Sequence, residues 1–173
     1  PTRGALLTGY YAQQIHRDAL PSVAGGMRGV RQPWARLLPY FLKPAGYRCY
    51  HSGKWHVGNA PRVVADGGFT RSYHLADGGR YFSPGLHFLD DKALPAVAPN
   101  TGFYSTIAIA DHAIGFLKEH AEKHNAAPFF LYVAFNAPHF PLQALPGDIA
   151  KYRDRYDSGW DAIRAMRYDR QKQ

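Results

Sequence analysis

The hydrophobic pattern predicts two regular elements in the second half of the chain. From Thr101 to His120, apolar residues recur at helical spacing, so we expect a helix capped by Thr101 or Ser105. The run Phe129–Phe135 is unbroken, apolar and β-prone, which is typical of a parallel strand buried on both faces. The stripe that the helix is expected to bury consists of Ile107, Ala110, Ile114, Leu117 and Ala121.

The first half of the chain alternates between regular and irregular patterns. Pro1–Leu7 predicts the first turns of a helix that ends at Gly9. Pro33–Lys43 carries an amphipathic stripe, which predicts a helix interrupted or kinked by Pro39. Tyr47–Tyr50 then predicts a short strand. A helix, a tight turn and a strand in this order indicate an α/β fold.

Two further stretches lack a clean period. Tyr10–Arg31 reads as a surface loop, and 59–100, rich in Gly, Pro and aromatic residues, is predicted to be an irregular insert with a small hairpin. A long insert of this kind is often a functional loop. The tail is predicted to be helical from Trp160 onward. We expect 1–173 to form part of a single domain that is incomplete at both ends.

The stretch Gly53–Gly58 carries the most suggestive chemistry. Residues two apart in an extended segment project to the same face, so Lys54 and His56 are expected to point into one pocket while Trp55 packs behind them. His139 follows the predicted buried strand, at the strand end where open α/β folds place their ligand sites.

Arg3 completes a set of basic side chains suited to a tetrahedral oxyanion. A cation in the first turn of a helix opposes the helix dipole unless it has an anionic partner, which favours a functional role for Arg3. The acidic pair Asp90 and Asp91 suggests a hard-cation site but has no third acid nearby, so we expect solvated charge. The remaining histidines are expected at the surface or in packing: His16, His51, His74, His87, His112, His120 and His124.

Composition narrows the possible partners. The chain of 173 residues has a formal charge of +8, yet its basic residues are scattered, which argues against nucleic acid and suits anionic small molecules or sulfated and phosphorylated polymers. The single cysteine, Cys49, excludes an internal disulfide and a cysteine-based zinc site. No apolar run approaches the roughly 20 residues that span a bilayer.

Three motifs resemble those of the sulfatase family, in the family's order. Pro1-Thr2-Arg3-x-x-x-Leu7-Thr8-Gly9 is similar to the signature C/S-x-P-x-R-x-x-x-L-T-G without its first two residues. Gly53–Gly58 resembles the second sulfatase signature, and Phe129–Pro141 resembles the strand and A-P-H-x-P segment that supplies a substrate histidine. The tail Tyr156–Arg164 is similar to arylsulfatases in particular.

The resemblance implies a mainly parallel sheet in an alkaline-phosphatase-like three-layer sandwich, and hydrolysis of sulfate esters. It implies a formylglycine nucleophile two positions before Pro1 and a divalent cation, usually calcium, whose ligands lie outside this chain. Arg3 would stabilise the hydrated aldehyde, Lys54 would contact nucleophile and sulfate, His56 would act as base, and His139 would bind sulfate and support the departing alcohol.

The partners implied are a sulfate ester, either an aryl sulfate or a sulfated glycan, and the formylglycine-generating machinery. A chain cut off from its nucleophile and metal ligands is expected to be inactive alone. Relatives of this kind are periplasmic, secreted or lysosomal, but the sequence does not decide the compartment. Two alternatives stay open: a phosphate or phosphonate ester hydrolase of the same superfamily, and a non-catalytic protein that binds sulfated glycans.

Overall fold

The computed structural model of the chain describes residues 2–18, 31–57 and 61–173. It contains two compact units, Pro1–His139 and Phe140–Gln173. Most of the predicted loop Tyr10–Arg31 lies outside the described residues. The assignment of 1–173 to a single partial domain stays a prediction.

The first unit contains three helices, one 3₁₀ turn and five strands among its described residues. In chain order they are α1 (Thr2–Thr8), α2 (Leu38–Leu42), a 3₁₀ turn (Lys43–Ala45), β1 (Arg48–Gly53), β2 (Arg71–Leu75), β3 (His87–Leu89), β4 (Lys92–Ala93), α3 (Ser105–Lys123) and β5 (Phe129–Ala134). The second unit contains α4 (Pro146–Ala150) and α5 (Gly159–Gln171). The predicted N-terminal helix and the helical tail are thus confirmed. In the described part of the chain, no helix combines the length and apolarity needed to cross a bilayer.

The five strands form one sheet in the order β4-β3-β2-β1-β5. β1 runs parallel to both of its neighbours, and β3 joins antiparallel to β2. Five of the six β1 residues are buried, as expected for the central strand of a sheet covered on both faces. The carboxyl ends of β1, β2 and β5 therefore lie at one edge of the sheet.

Successive β1 residues serve two different cores because side chains alternate across a strand. Cys49 belongs to the cluster that includes Leu7 of α1 and Trp55. Tyr50 belongs to the opposite cluster, with Ile109 and other residues of α3. Burial raises the pKa of the Cys49 thiol, and this free cysteine lies in the core. The two clusters make a layer on each side of the sheet.

The face that α3 buries differs from the predicted one. The helix exists, but Ile107 and Ile114 are about half exposed, and its cap residue is Tyr104 without a side-chain cap bond. The helix has apolar residues on more than one face, so its sequence alone does not fix which face is buried. Contacts with Tyr50 select the buried face: the Tyr50 hydroxyl lies 2.9 Å from His120 Nδ1, and its ring stacks on Phe116. The residues actually buried are Ser105, Ile109, Ala113, Phe116 and His120.

Three other predictions need correction. The helix expected over Pro33–Lys43 is limited to α2. Pro39 does not kink this helix, because it lies in the first turn, where no backbone N–H is needed for a hydrogen bond within the helix. β5 is an edge strand of the described sheet, and Phe129 at its start is 48% exposed, so it is not buried on both faces throughout. The irregular insert 59–100 contains β2, a strand paired with β1.

The small hairpin expected in the insert is present as β3 and β4. Asp90 and Asp91 form its two-residue loop, both with positive φ, 49° and 67°. Their carboxylates are not simply solvated, because Asp90 accepts from the Ser72 N–H and Asp91 from the backbone N–H of Val64 and Ala65. The acidic pair thus ties the hairpin to its surroundings.

The end of β1 requires a glycine. Gly53 has φ 120°, and a Cβ there would lie 2.1 Å from the carbonyl oxygen of Ala134 in β5. The next residue continues the pairing, since the Lys54 N–H donates to that same oxygen at 2.7 Å. The two strands therefore approach closely at the point from which Lys54 projects.

Replacing Gly53 with alanine tests this close approach. We expect Gly53→Ala to destabilise the protein by about 3 kcal/mol or more, because the backbone strain adds to a clash with backbone atoms. Thermal unfolding of the intact protein gives the measurement. Gly102→Ala is the matched control: its φ is 79° but no atom lies within 4 Å of the added Cβ, so only about 1–2 kcal/mol of left-handed strain is expected. Equal losses in the two variants would contradict the steric explanation.

Candidate functional site

Arg3 connects the first helix to the ends of two strands. Its Nη1 donates to the Lys54 carbonyl at 3.2 Å and to the Tyr132 hydroxyl at 3.1 Å, and its Nη2 donates to the Phe135 carbonyl at 3.0 Å. The guanidinium spreads its donors over a rigid planar fork, which suits three acceptors that lie on different segments. The Arg3 cation is thus stabilised against the dipole of α1 by backbone and hydroxyl oxygens instead of an anionic partner. Its hydrogen bonds place Arg3 directly beside the loop that carries Lys54.

Lys54 and His56 line one cavity of about 330 Å³. The prediction that the two side chains share a pocket is thus confirmed. The segment that carries them is not the extended strand expected, however, since it is irregular and His56 has a left-handed backbone with φ 53°. Trp55 between them is 2% exposed and packs behind, as predicted. The full lining is Arg17, Lys54, Trp55, His56, Val57, Pro61, His74, Leu75 and Ala76.

Among the described residues, the lining of the cavity includes two cations and two imidazoles but no carboxylate, so this lining is electropositive. Burial and then the Arg3 charge lower the pKa of Lys54. Burial lowers the pKa of His56 as well, with Lys54, Arg17 and Arg3 adding to the effect. His56 is therefore held in its neutral form, able to accept a proton, at a lower pH than an ordinary histidine.

His139 lies at the same edge of the sheet, five residues after the end of β5. A turn fixes its backbone: its N–H donates to the Asn136 carbonyl at 2.9 Å, and its own carbonyl accepts from the Tyr81 hydroxyl at 2.8 Å. The residue is exposed and is not among those that line the cavity of Lys54 and His56. The structure thus joins Arg3, Lys54 and His56 closely, and places His139 on a neighbouring segment.

Four residues near the site were not singled out from the sequence. His74, expected at the surface or in packing, lines the cavity, as does Arg17. Tyr132 binds Arg3, and Asn136 is buried beside the Lys54 side chain. The available signal was position: Asn136 and His74 lie near the carboxyl ends of strands at the same edge as Lys54.

A buried imidazole supports the site from below. His51 in β1 is fully buried, its Nδ1 lies 2.9 Å from Ser72 Oγ, and its ring contacts Trp55 and Tyr132. Burial lowers the pKa of His51 to about 3, so it stays neutral. This histidine packs, as the sequence analysis predicted, and it supports two residues of the site: Trp55 behind the cavity and Tyr132 beneath Arg3.

The described residues do not offer a metal site of their own. Among residues 2–18, 31–57 and 61–173, no group of three or more His, Cys, Asp and Glu side chains could hold a metal ion. The calcium implied by the resemblance therefore has no ligand set in this part of the protein.

Removing the charge of Arg17 tests the electrostatics of the cavity. We expect Arg17→Gln to raise the pKa of His56, because a neighbouring cation disfavours the imidazolium and its removal relieves that repulsion. NMR titration of the His56 ring in histidine-labelled protein measures the shift. Arg36→Gln is the control, since Arg36 is exposed and is not among the charges that act on His56. An unchanged His56 titration in Arg17→Gln would show that the two side chains do not interact.

Replacing the guanidinium tests the role of Arg3. Arg3→Lys keeps the charge but cannot reach all three acceptors, so we expect a loss of about 1–3 kcal/mol and a lower unfolding temperature. Arg167→Lys, at an exposed position of α5, serves as the control and should change stability by less than about 0.5 kcal/mol. Similar unfolding temperatures for the two variants would refute the bridging role.

Comparison with known proteins places this arrangement in a family. The sulfatase family model matches residues 1–172. An uncharacterised sulfatase of Schizosaccharomyces pombe is 32% identical over 99% of this chain and 35% of its own length. Human N-acetylgalactosamine-6-sulfatase is 33% identical over 96% of this chain and 35% of its own length. The chain thus spans about a third of the length of these curated relatives.

Two solved structures are similar to this chain in fold. The crystal structure of Ps i-CgsB in complex with k-i-k-neocarrahexaose has a TM-score of 0.70 and 28% identity, covering 88% of this chain and 37% of that one. The structure of BT4656 in complex with its substrate D-glucosamine-2-N,6-O-disulfate has a TM-score of 0.65 and 26% identity, covering 89% and 28%. The α/β fold of the alkaline-phosphatase type, with its mainly parallel sheet, is confirmed. With the family model matching nearly its whole length, the chain belongs to the sulfatase family.

Proposed function

We propose that the intact protein hydrolyses sulfate esters and that the cavity of Lys54 and His56 receives the sulfate group. The observation that carries the proposal is the charge of the cavity: its lining has no carboxylate, and Arg3 lies fixed beside it. Cations aimed at developing negative charge in a partly buried site are usually the largest catalytic contribution. Membership in the sulfatase family supports the same reaction.

In this proposal each basic residue has a distinct role. Lys54 holds sulfate oxygens with its ammonium, and Arg3 fixes the Lys54 loop and stabilises the nucleophile. His56, neutral because its pKa is lowered, accepts a proton at its imidazole and is the base of the reaction. His139 binds the sulfate and donates a proton to the departing alcohol oxygen.

We propose a formylglycine, two positions before Pro1, as the nucleophilic residue. When hydrated it would supply the oxygen that attacks sulfur. A divalent cation, whose ligands would come from outside the described residues, would add positive charge against the sulfate. The segment Pro1–Arg3 would also be read by the formylglycine-generating machinery. A sulfated glycan and an aryl sulfate are both consistent with the names of the relatives. One relative is an N-acetylgalactosamine-6-sulfatase and a solved structure holds a disulfated glucosamine, while two other relatives are arylsulfatases.

Turnover of matched esters tests the proposal. We expect the intact protein, loaded with calcium and shown by peptide mass spectrometry to carry formylglycine, to cleave nitrophenyl sulfate faster than nitrophenyl phosphate. Lys54→Ala and His56→Ala should each lower kcat by about 100-fold or more, because each removes a charge-stabilising or proton-accepting group.

The controls are a basic residue of α3, Lys118, and the histidine that follows the helix as its C-cap, His124, both outside the lining of the cavity. Lys118→Ala and His124→Gln change the same residue types and should leave kcat within about twofold. Faster turnover of the phosphate ester would reject the sulfatase activity in favour of a phosphate ester hydrolase. Binding of a sulfated glycan without turnover, together with a nucleophile position that cannot be converted, would identify the non-catalytic alternative.

A further inference from the structure

The side chain of Asn136 is buried without hydrogen bonds in the described part of the protein. It is 4% exposed, and neither its Oδ1 nor its Nδ2 has a partner there. Leaving a buried amide unsatisfied costs about 1–3 kcal/mol per group, so such side chains are rare unless something else binds them. The backbone of Asn136 is, in contrast, well fixed by the turn that accepts the His139 N–H.

Asn136 and Lys54 flank the same glycine. A Cβ built on Gly78 would lie 3.5 Å from Lys54 Nζ and 3.8 Å from Asn136 Nδ2. Both of these nitrogens are hydrogen-bond donors, and Lys54 forms no ion pair with any carboxylate of the described residues. Two donors without an acceptor that approach the same glycine match a group that offers several acceptor oxygens, such as a sulfate.

The position of Asn136 in the fold supports the same conclusion. It follows β5 by two residues, at the sheet edge where Gly53 ends β1 and Lys54 begins the site. Phe135, just before it, gives its carbonyl to Arg3. Asn136 thus lies between the backbone that Arg3 fixes and the residue His139, inside the arrangement of basic groups.

We propose that Asn136 is a further substrate-binding residue of this site, whose amide donates to an oxygen of the sulfate group that Lys54 holds. A neutral donor adds a directed hydrogen bond without adding positive charge, so the amide itself does not lower the pKa values of Lys54 and His56 any further. The proposal rests on the proposed function, because it takes sulfate to be the group bound at Lys54.

Inorganic sulfate, used as a competitive inhibitor of the intact enzyme, tests the proposal. We expect Asn136→Ala to raise the inhibition constant of sulfate and the KM of a sulfate ester by about 10- to 100-fold, as for a lost hydrogen bond to a charged group. Asn136→Asp keeps the size of the side chain but places negative charge beside the anion, so it should weaken sulfate binding at least as much. The pH titration of His56 should not move in Asn136→Ala.

Ser105→Ala is the matched control, since Ser105 Oγ is another buried polar atom without a partner in the described part of the protein, but, unlike Asn136, it is not among the atoms nearest Gly78 beside Lys54. It should leave sulfate inhibition unchanged. If Asn136→Ala lowers the unfolding temperature but binds sulfate like the wild type, the amide is satisfied by polypeptide and this inference is overturned, while the sulfatase activity stands. If the wild-type protein neither binds sulfate nor cleaves sulfate esters, the proposed function fails and takes this inference with it.

Discussion

The close approach of β1 and β5 at Gly53 is the constraint on which the site depends. Because no side chain separates the strands there, the Lys54 N–H reaches the Ala134 carbonyl, and the chain leaves the sheet in a fixed direction. Arg3 then secures the same place from the other side by binding the carbonyls of Lys54 and Phe135. Hydrogen bonds to backbone carbonyls thus hold together three segments that are distant in sequence. The side chains of Lys54 and His56 are not used for this purpose and remain available to the site.

Electrostatic repulsion within this arrangement is a cost that the fold offsets. Burial lowers the pKa values of Lys54 and His56, and the positive charges that Arg3, Arg17 and Lys54 bring near one another lower them further. Arg3 is stabilised by oxygen dipoles and not by a carboxylate, so its charge is not cancelled. The site therefore retains a net positive field, as anion binding requires, and an anionic substrate relieves the repulsion when it binds.

The sequence predicted the parts of the fold and of the candidate site that depend on local pattern. Gly53–Gly58 was identified because glycines, a cation and an imidazole follow a predicted strand. That strand, predicted over Tyr47–Tyr50, corresponds to β1, and α3 was predicted from its helical periodicity. The buried face of α3 was predicted wrongly, since it is chosen by the long-range contact of Tyr50 with His120, which no local period encodes. β2 was missed because its pairing with β1, and not its own pattern, makes it a strand.

Some residues of the site can be recognised only from the structure. A lysine between glycines is conspicuous, whereas Asn136 becomes informative only when its burial and its unpartnered amide are known. His74 looks like any strand histidine until the parallel pairing of β2 with β1 brings it to the cavity of Lys54. Charged residues can indicate a site from the sequence alone. Neutral residues that shape the site are recognised only in the structure, because their role depends on which hydrogen-bond donors and acceptors surround them.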